Sequence, residues 1–288
     1  AGQLLGEDRR GEQRAAAILA EELPGVPVTC SHELARIGLL ERENAALLNA
    51  ALADLARETI EAFAAAIAGS GISAPLYITQ NDGTVAEAAV ARRFPVYSFA
   101  SGATNSMRGA AWLSGIEDAM VVDVGGTTTD IGQIRGGFPR ESSAVVHVGG
   151  VRTLFRMPDL LSIGLGGGSH VEGDPPRIGP LSVGYRLPEE ALVFGGSRLV
   201  ATDIAVAAGL LALGDPGRVA GIAPGRVRAV LDEAARMLEE NIDRMKTTAG
   251  DVPLVAVGGG AFLVPARLAG VSRVVHVEHG DCANAVGA

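Results

Sequence analysis

The segment Asp123-Val-Gly-Gly-Thr-Thr-Thr-Asp130 sets two carboxylates, two adjacent glycines and three hydroxyls within one short stretch. Carboxylate oxygens suit a hydrated magnesium ion, a hard cation that prefers oxygen ligands. Glycines let the backbone approach an anion and turn its N–H groups toward it. Threonine hydroxyls donate to phosphate oxygens. The apolar run Ala119-Met-Val-Val122 leads into the segment and predicts a buried strand. A tight turn between two strands, with Asp and Thr as ordinary turn residues, accounts for the same string equally well.

Other stretches carry weaker signals. Gly164-Leu-Gly-Gly-Gly-Ser169 followed by His170 offers backbone amides, a hydroxyl and a titratable ring, either as an anion or substrate loop or as a plain turn. Gly149-Gly150 and Gly258-Gly259-Gly260 are further points of close backbone approach. Arg152 and Arg156 beside Gly149-Gly150 suit a carboxylate or a phosphate, or a solvated helix face. His32 and Glu33 suit an acid–base pair, with a helix start the more economical role. His276, His279 and Cys282 are loosely spaced, and no fourth metal ligand is evident, so a surface strand end is favoured. Ser101 has no His at a defined offset, which argues against a serine hydrolase. Trp112 is expected in the core.

The elements that must hold these residues alternate along the chain. Helices are predicted over 11–23, 41–68, from Asp82 through Arg92, over 101–114, 202–212 and 224–245, and from Asp281 onward. Strands are predicted at 26–29, 76–79, 96–99, 119–124, 130–135, 143–148, 254–257 and 273–277. The residues after Gly149-Gly150 are expected to be helical to Phe155. In the first long helix Leu48, Leu52, Leu55, Phe63 and Ile67 share a face; in the helix from Pro224, Val227, Leu231, Ala234, Leu238, Ile242 and Met245 do. Asp232 with Arg236 and Glu240 with Arg244 are expected as outward pairs. The alternation makes an α/β protein.

Composition narrows the class. With 288 residues and 48% hydrophobic content the chain can bury a full core. A formal net charge of -9 disfavours broad binding to nucleic acid or an anionic membrane, but not a local amide-lined anion site. Two distant cysteines form no disulfide framework and suit a reducing compartment, hence an expected cytoplasmic location. No apolar run is long enough to span a membrane. The opening Ala-Gly suggests a fragment of a longer polypeptide.

Taken in order, these motifs resemble the actin, sugar-kinase and chaperone ATPase superfamily. The motifs Ser31-His-Glu33, Glu41-Arg-Glu-Asn44, Leu48-Asn-Ala50, Gln80-Asn-Asp-Gly83, Ser101-Gly-Ala103, Asp123 to Asp130 and Ile163 to Ser169 narrow it. They resemble the hydantoinase A and 5-oxoprolinase family, which includes the ATP-binding subunit of acetone carboxylase. The resemblance covers most of the chain and is weakest over 172–200. It implies an α/β fold of ribonuclease-H-like ATPase lobes, a mixed sheet flanked by helices. Residues 1–118 would be the back half of a first lobe. Residues 119–288 would be a second lobe with its phosphate hairpin and adenosine loop.

By the same resemblance the activity is ATP-dependent opening of a cyclic amide through phosphorylation of its carbonyl oxygen, or service as the ATP-binding subunit of such an enzyme. The alternatives are a nucleotide-binding switch or scaffold, or a small-molecule kinase. ATP and Mg²⁺ are the implied cofactors. Asp123 and Asp130 would be the catalytic and metal-associated carboxylates. Gly125, Gly126, Thr127, Thr128, Gly149, Gly150, Gly258, Gly259 and Gly260 would contact nucleotide, and Gly167, Gly168, Ser169 and His170 the substrate. Expected partners are a second, B-type hydantoinase subunit and further copies in an oligomer. The first phosphate hairpin of the superfamily has no counterpart before residue 119.

Overall fold

A computed structural model describes residues 9–35, 38–142, 146–148, 150–153 and 156–288. They fall into two compact units, Ala1–Gly102 with Glu141–Pro158, and Ala103–Arg140 with Asp159–Ala288.

The first unit holds helices α1 (Arg10–Glu22), α2 (Ser31–Leu34), α3 (Leu40–Gly69) and α4 (Ala88–Arg93). Its strands are β1 (Tyr77–Thr79) and β2 (Val85–Glu87), paired antiparallel, and β6 (Val146–Val148) and β7 (Val151–Thr153), paired likewise. A small core gathers Leu34, Ala45 and Val96, with Leu48, Phe94 and Tyr97 against it. The buried Asn49 side chain ties α3 to its neighbours: its amide donates to Thr29 Oγ1 and the Arg93 carbonyl, and its Oδ1 accepts from the Val96 N–H.

Several expectations fail here for local reasons. Residues 26–29 form no strand; Pro27 lacks an N–H donor. The helix expected from Asp82 begins only at Ala88, because Asp82 Oδ1 accepts from the Thr84 N–H and hydroxyl and closes a turn that pairs β1 with β2. Residues 95–97 form a single 3₁₀ turn instead of a strand. Residues 151–153 are strand, not helix, while 143–145, 149, 154 and 155 lie outside the described residues. On α3 the buried stripe is Arg42, Ala45 and Asn49, and Leu55 and Phe63 point outward, 64% and 55% exposed.

α1 is tied down by Glu12. Its Oε1 accepts from Ser31 Oγ at 2.7 Å and Arg42 Nη2 at 2.8 Å, and its Oε2 from the His32 N–H. Burial pushes this carboxyl up, but hydrogen bonds from Ser31 and His32 and the Arg42 charge outweigh it, and its pKa falls to about 2. Folding therefore gains stability above the ordinary value of 4.5 that is lost as pH drops toward about 2. Glu12→Gln should destabilise the chain by about 2 kcal/mol at pH 7 and have little effect at pH 2, as read by chemical denaturation at both values.

The second unit begins with α5 (Ser101–Ser114, from Ala103 on) and continues with β3 (Ala119–Val124), β4 (Thr129–Arg135) and β5 (Phe138–Pro139). After Asp159 come β8 (Leu160–Ile163), β9 (Ser169–Glu172), β10 (Arg177–Ser182), α6 (Leu187–Glu190), α7 (Ala201–Ala207) and α8 (Pro224–Met245). β11 (Val252–Val257), β12 (Val271–His276) and α9 (Ala283–Gly287) complete the unit. The main sheet runs β12-β11-β3-β4-β5, with β8 also on β4. β12, β11 and β3 are parallel, and β4 is antiparallel to β3, β5 and β8, so the sheet is mixed.

Both faces of this sheet are covered, which explains the unbroken apolar runs in β3 and β11. Met120 and Val122 pack with Ile131, Leu254, Leu238 and Ile242, the last two from α8. Alternating residues Val121, Val255 and Val257 pack with Met107 and Ala110 of α5. Pro at its first position and a clean apolar stripe place α8 where the pattern predicts. Its outward Arg236 pairs with Glu233 and Glu240 rather than with Asp232. Trp112 does not enter the core and is 81% exposed. As the sole tryptophan it should give red-shifted emission that acrylamide quenches efficiently; a blue-shifted, protected emission would contradict its placement. No helix among the described residues is long and apolar enough to cross a membrane.

Candidate functional site

Sheet topology brings distant glycine segments to one edge of the second unit. β3 and β11 run parallel with Val257 opposite Asp123, so both leave the sheet at the same end. The turn Gly125–Thr128 follows β3, and the bend Gly258–Gly260 follows β11. β8 is antiparallel to β4 with Ile163 opposite Thr129, which delivers the loop from Gly164 to that end as well. The carboxyl ends of strands in open α/β sheets are where ligands bind.

Backbone hydrogen bonds weld the segments together. The Gly125 N–H donates to the Thr128 carbonyl at 2.9 Å and closes the turn. Gly167 and Gly168 donate to the carbonyls of Gly125 and Gly126 at 3.0 and 2.7 Å. Gly260 donates to the Val124 carbonyl at 2.7 Å. The fit is close enough to exclude side chains: a Cβ on Gly166 would lie 2.6 Å from the Thr127 nitrogen. At Gly258, whose φ is +90°, a Cβ would lie 2.3 Å from both the Val124 carbonyl oxygen and Asp123 Oδ1.

The turn thus faces outward on a rigid base. Gly126, Thr127 and Thr128 are exposed, and no hydrogen bond within the described residues engages the N–H of Gly126 or Thr127. Thr129, by contrast, is buried and donates its hydroxyl to the Leu165 carbonyl. Asp123 and Asp130 sit directly opposite each other on β3 and β4. Burial pushes the Asp123 carboxyl up, the Asp130 charge adds to the rise, and a hydrogen bond from Ser106 partly offsets it. Asp130 accepts a hydrogen bond from Ser162.

Each remaining sequence candidate has a definite place. Gly167, Gly168 and Ser169 are buried beneath the turn, and Ser169 Oγ accepts from the Gly166 N–H. His170 is half-buried on β9, 3.8 Å from Glu172. Gly259 is exposed at the apex of its bend. Gly150 lies in the first unit, in the turn between β6 and β7; Gly149 lies outside the described residues. Arg152 pairs with Glu41 and Arg156 with Glu141, both carboxylates of the first unit. His32 contacts Glu12, and Glu33 pairs with Arg93. His276, His279 and Cys282 do not come together as a ligand set among the described residues.

Three supporting residues escaped the sequence patterns. Ser106 on α5 holds the Asp123 carboxylate and is contacted by Asn284 of α9 at 3.4 Å. Ser182 donates to the Gly126 carbonyl, and Thr202 to that of Gly167. All are lone hydroxyls in unremarkable local sequence, and only the tertiary fold gives them partners.

The hydantoinase/oxoprolinase family pattern matches residues 42–215. This chain belongs to that family. Over 213 residues, 70% of the chain, it is 30% identical to caprolactamase subunit alpha of Pseudomonas jessenii, of which the match covers 30%. Two solved structures are similar in fold. One is acetone carboxylase in a nucleotide-free state, at 19% identity and a TM-score of 0.77, covering 98% of this chain and 45% of that one. The other is the ATP-dependent caprolactamase from Pseudomonas jessenii, at 25% identity and a TM-score of 0.74, covering 98% and 46%. The chain spans less than half the length of these relatives.

For a member of the hydantoinase/oxoprolinase family, the chemistry of the turn is apt. Free amides, exposed hydroxyls and a pair of facing carboxylates suit a polyphosphate carrying a divalent cation.

Proposed function

We propose that this chain supplies an ATP-binding part of an enzyme that opens a cyclic amide. The observation that carries the proposal is the outward turn at Gly126 and Thr127, braced from below by Gly167, Gly168 and Gly260 and flanked by Asp123. The nucleotide, when bound, supplies a phosphoryl group that makes an inert amide carbonyl susceptible to water.

The protein's own part is positioning and charge neutralisation. The N–H groups of Gly126 and Thr127 and the hydroxyls of Thr127 and Thr128 receive phosphate oxygens. Gly125 closes the turn that aims them. Asp123 and Asp130 would hold Mg²⁺, with Ser106 fixing the Asp123 carboxylate. Gly258, Gly259 and Gly260 form the wall for the nucleoside. Gly167, Gly168 and Ser169 stiffen the base, and His170 borders it.

Residues 1–118 are assigned to a first ATPase lobe and 119–288 to the second, although α5 from Ala103 packs on the second unit's sheet and Glu141–Pro158 lies in the first unit. A second subunit of the B type, an oligomeric assembly and a cytoplasmic location complete the proposal. Of these, the second subunit is supported by the alpha-subunit name of the Pseudomonas jessenii relative. Phosphate release by the full-length parent, measured against lactams, hydantoins and 5-oxoproline, should rise with one of these cyclic amides and require Mg²⁺. Nucleotide binding without any such stimulation would point to a switch instead.

A further inference from the structure

Cys30, Ser31 and His32 lie at the start of α2, and Glu12 faces them from α1. We propose that Glu12, Cys30 and His32 form a binding site for a zinc-class divalent ion. Their ligand atoms, a carboxylate oxygen, a thiol sulfur and a ring nitrogen, all lie within 4.8 Å of one another. Tetrahedral bonds of about 2.0–2.3 Å put ligand atoms roughly 3.3–3.8 Å apart, so the 2.9 Å contact between Glu12 and His32 opens slightly and Cys30 Sγ closes in, movements within reach of side-chain rotation.

The ligand types choose the metal. Thiolate and imidazole select zinc or a similar borderline ion over magnesium or calcium. The supporting contacts match those of metal sites, where ligating carboxylates are themselves held by hydrogen bonds. Ser31 Oγ and Arg42 Nη2 both bind Glu12 Oε1, leaving Oε2 turned to His32 Nδ1 at 2.9 Å. The Arg42 side chain is buried and its Nε also donates to Ser31 Oγ, so the carboxylate is fixed from behind.

Access is open as well. Glu12 and Cys30 line a cleft walled by Ala16, Leu19, Val28 and Leu47. Three protein ligands and a solvent-facing fourth position are the pattern of sites that keep one position for water or a small ligand. On binding, the Cys30 thiol would lose its proton to solvent and His32 would present the Nδ1 lone pair, with its ring proton on Nε2.

The test is a cobalt(II) titration of the full chain, with Co²⁺ as the spectroscopic stand-in for Zn²⁺. The expected result is a thiolate-to-metal absorption band that saturates at a single equivalent and is erased by Zn²⁺. The band should survive Cys282→Ser, disappear in Cys30→Ser, and need about tenfold more metal in Ser31→Ala. Absence of the band, or its loss in Cys282→Ser with retention in Cys30→Ser, overturns the site. If Cys30→Ser does not fold, alkylation of Cys30 in the Cys282→Ser chain decides. Zn²⁺ should slow it by about tenfold or more, and an unchanged rate refutes the proposal. Neither readout depends on ATP or amide hydrolysis, so the outcome is independent of the proposed function.

Discussion

Asp123→Asn in the full-length parent is expected to cut nucleotide turnover roughly a hundred- to a thousandfold while raising the melting temperature of the protein at pH 7. The two effects share one cause. Asp123 is half-buried, faces Asp130 across the β3–β4 ladder and has its carboxyl pushed above the ordinary 3.8. A raised carboxyl means the folded state binds protons more tightly than the unfolded one. The stability this contributes is present in full below 3.8 and is lost as pH rises through the folded value. At neutral pH the charge is therefore a burden on the fold, which the proposed role of Asp123 toward a divalent cation would explain. An isosteric amide removes the burden and the cation ligand together, and the gain in stability should vanish near pH 3. Phosphate release and thermal melts at the two pH values check both halves. Near wild-type turnover in the variant would refute the assignment of Asp123.

Gly258→Ala should destabilise the chain by about 2–5 kcal/mol, whereas Gly259→Ala should stay within about 0.5 kcal/mol of the parent. The neighbours differ entirely in surroundings. At Gly258 the backbone has φ +90°, and an added Cβ would lie 2.3 Å from the Val124 oxygen and from Asp123 Oδ1, so neither strain nor collision can relax without moving β3. At Gly259 an added Cβ meets nothing within 4 Å. On the proposed function, in which this exposed apex faces the nucleoside, Gly259→Ala should nevertheless weaken nucleotide binding. Urea denaturation separates the two stabilities. Equal losses for both variants would show that the bend is not packed against β3 as described.

Strong periodicity made much of the second unit legible. The Met120–Val122 run and the β11 run signal strands buried on both faces, and α8 begins at its proline and ends where its apolar stripe ends. The first unit was harder, because its elements are short and fixed by single side chains. Nothing in the string Asp82-Gly83-Thr84 says that Asp82 will close a hairpin rather than start a helix. Nor do Leu55 and Phe63 announce that the stripe of α3 is buried only at its first turns.

The glycine segments were visible as points of close approach, but their mutual contact depends on pairing register. Val257 opposite Asp123 is a tertiary fact, and it alone brings residues 258–260 to the turn. The same holds for the bracing of Gly125 and Gly126 by Gly167 and Gly168, residues whose sequence suggests a ligand loop of their own.

On the proposed function, the exposed turn at Gly126 and Thr127 receives the phosphates of ATP. Hydrogen–deuterium exchange of the full-length protein, with and without Mg²⁺ and a non-hydrolysable ATP analogue, checks this. Exchange should slow in peptides covering Gly126–Thr128 and Gly258–Gly260, and the protection should disappear in Asp123→Ala. Bound nucleotide that leaves both peptides unchanged would contradict the account.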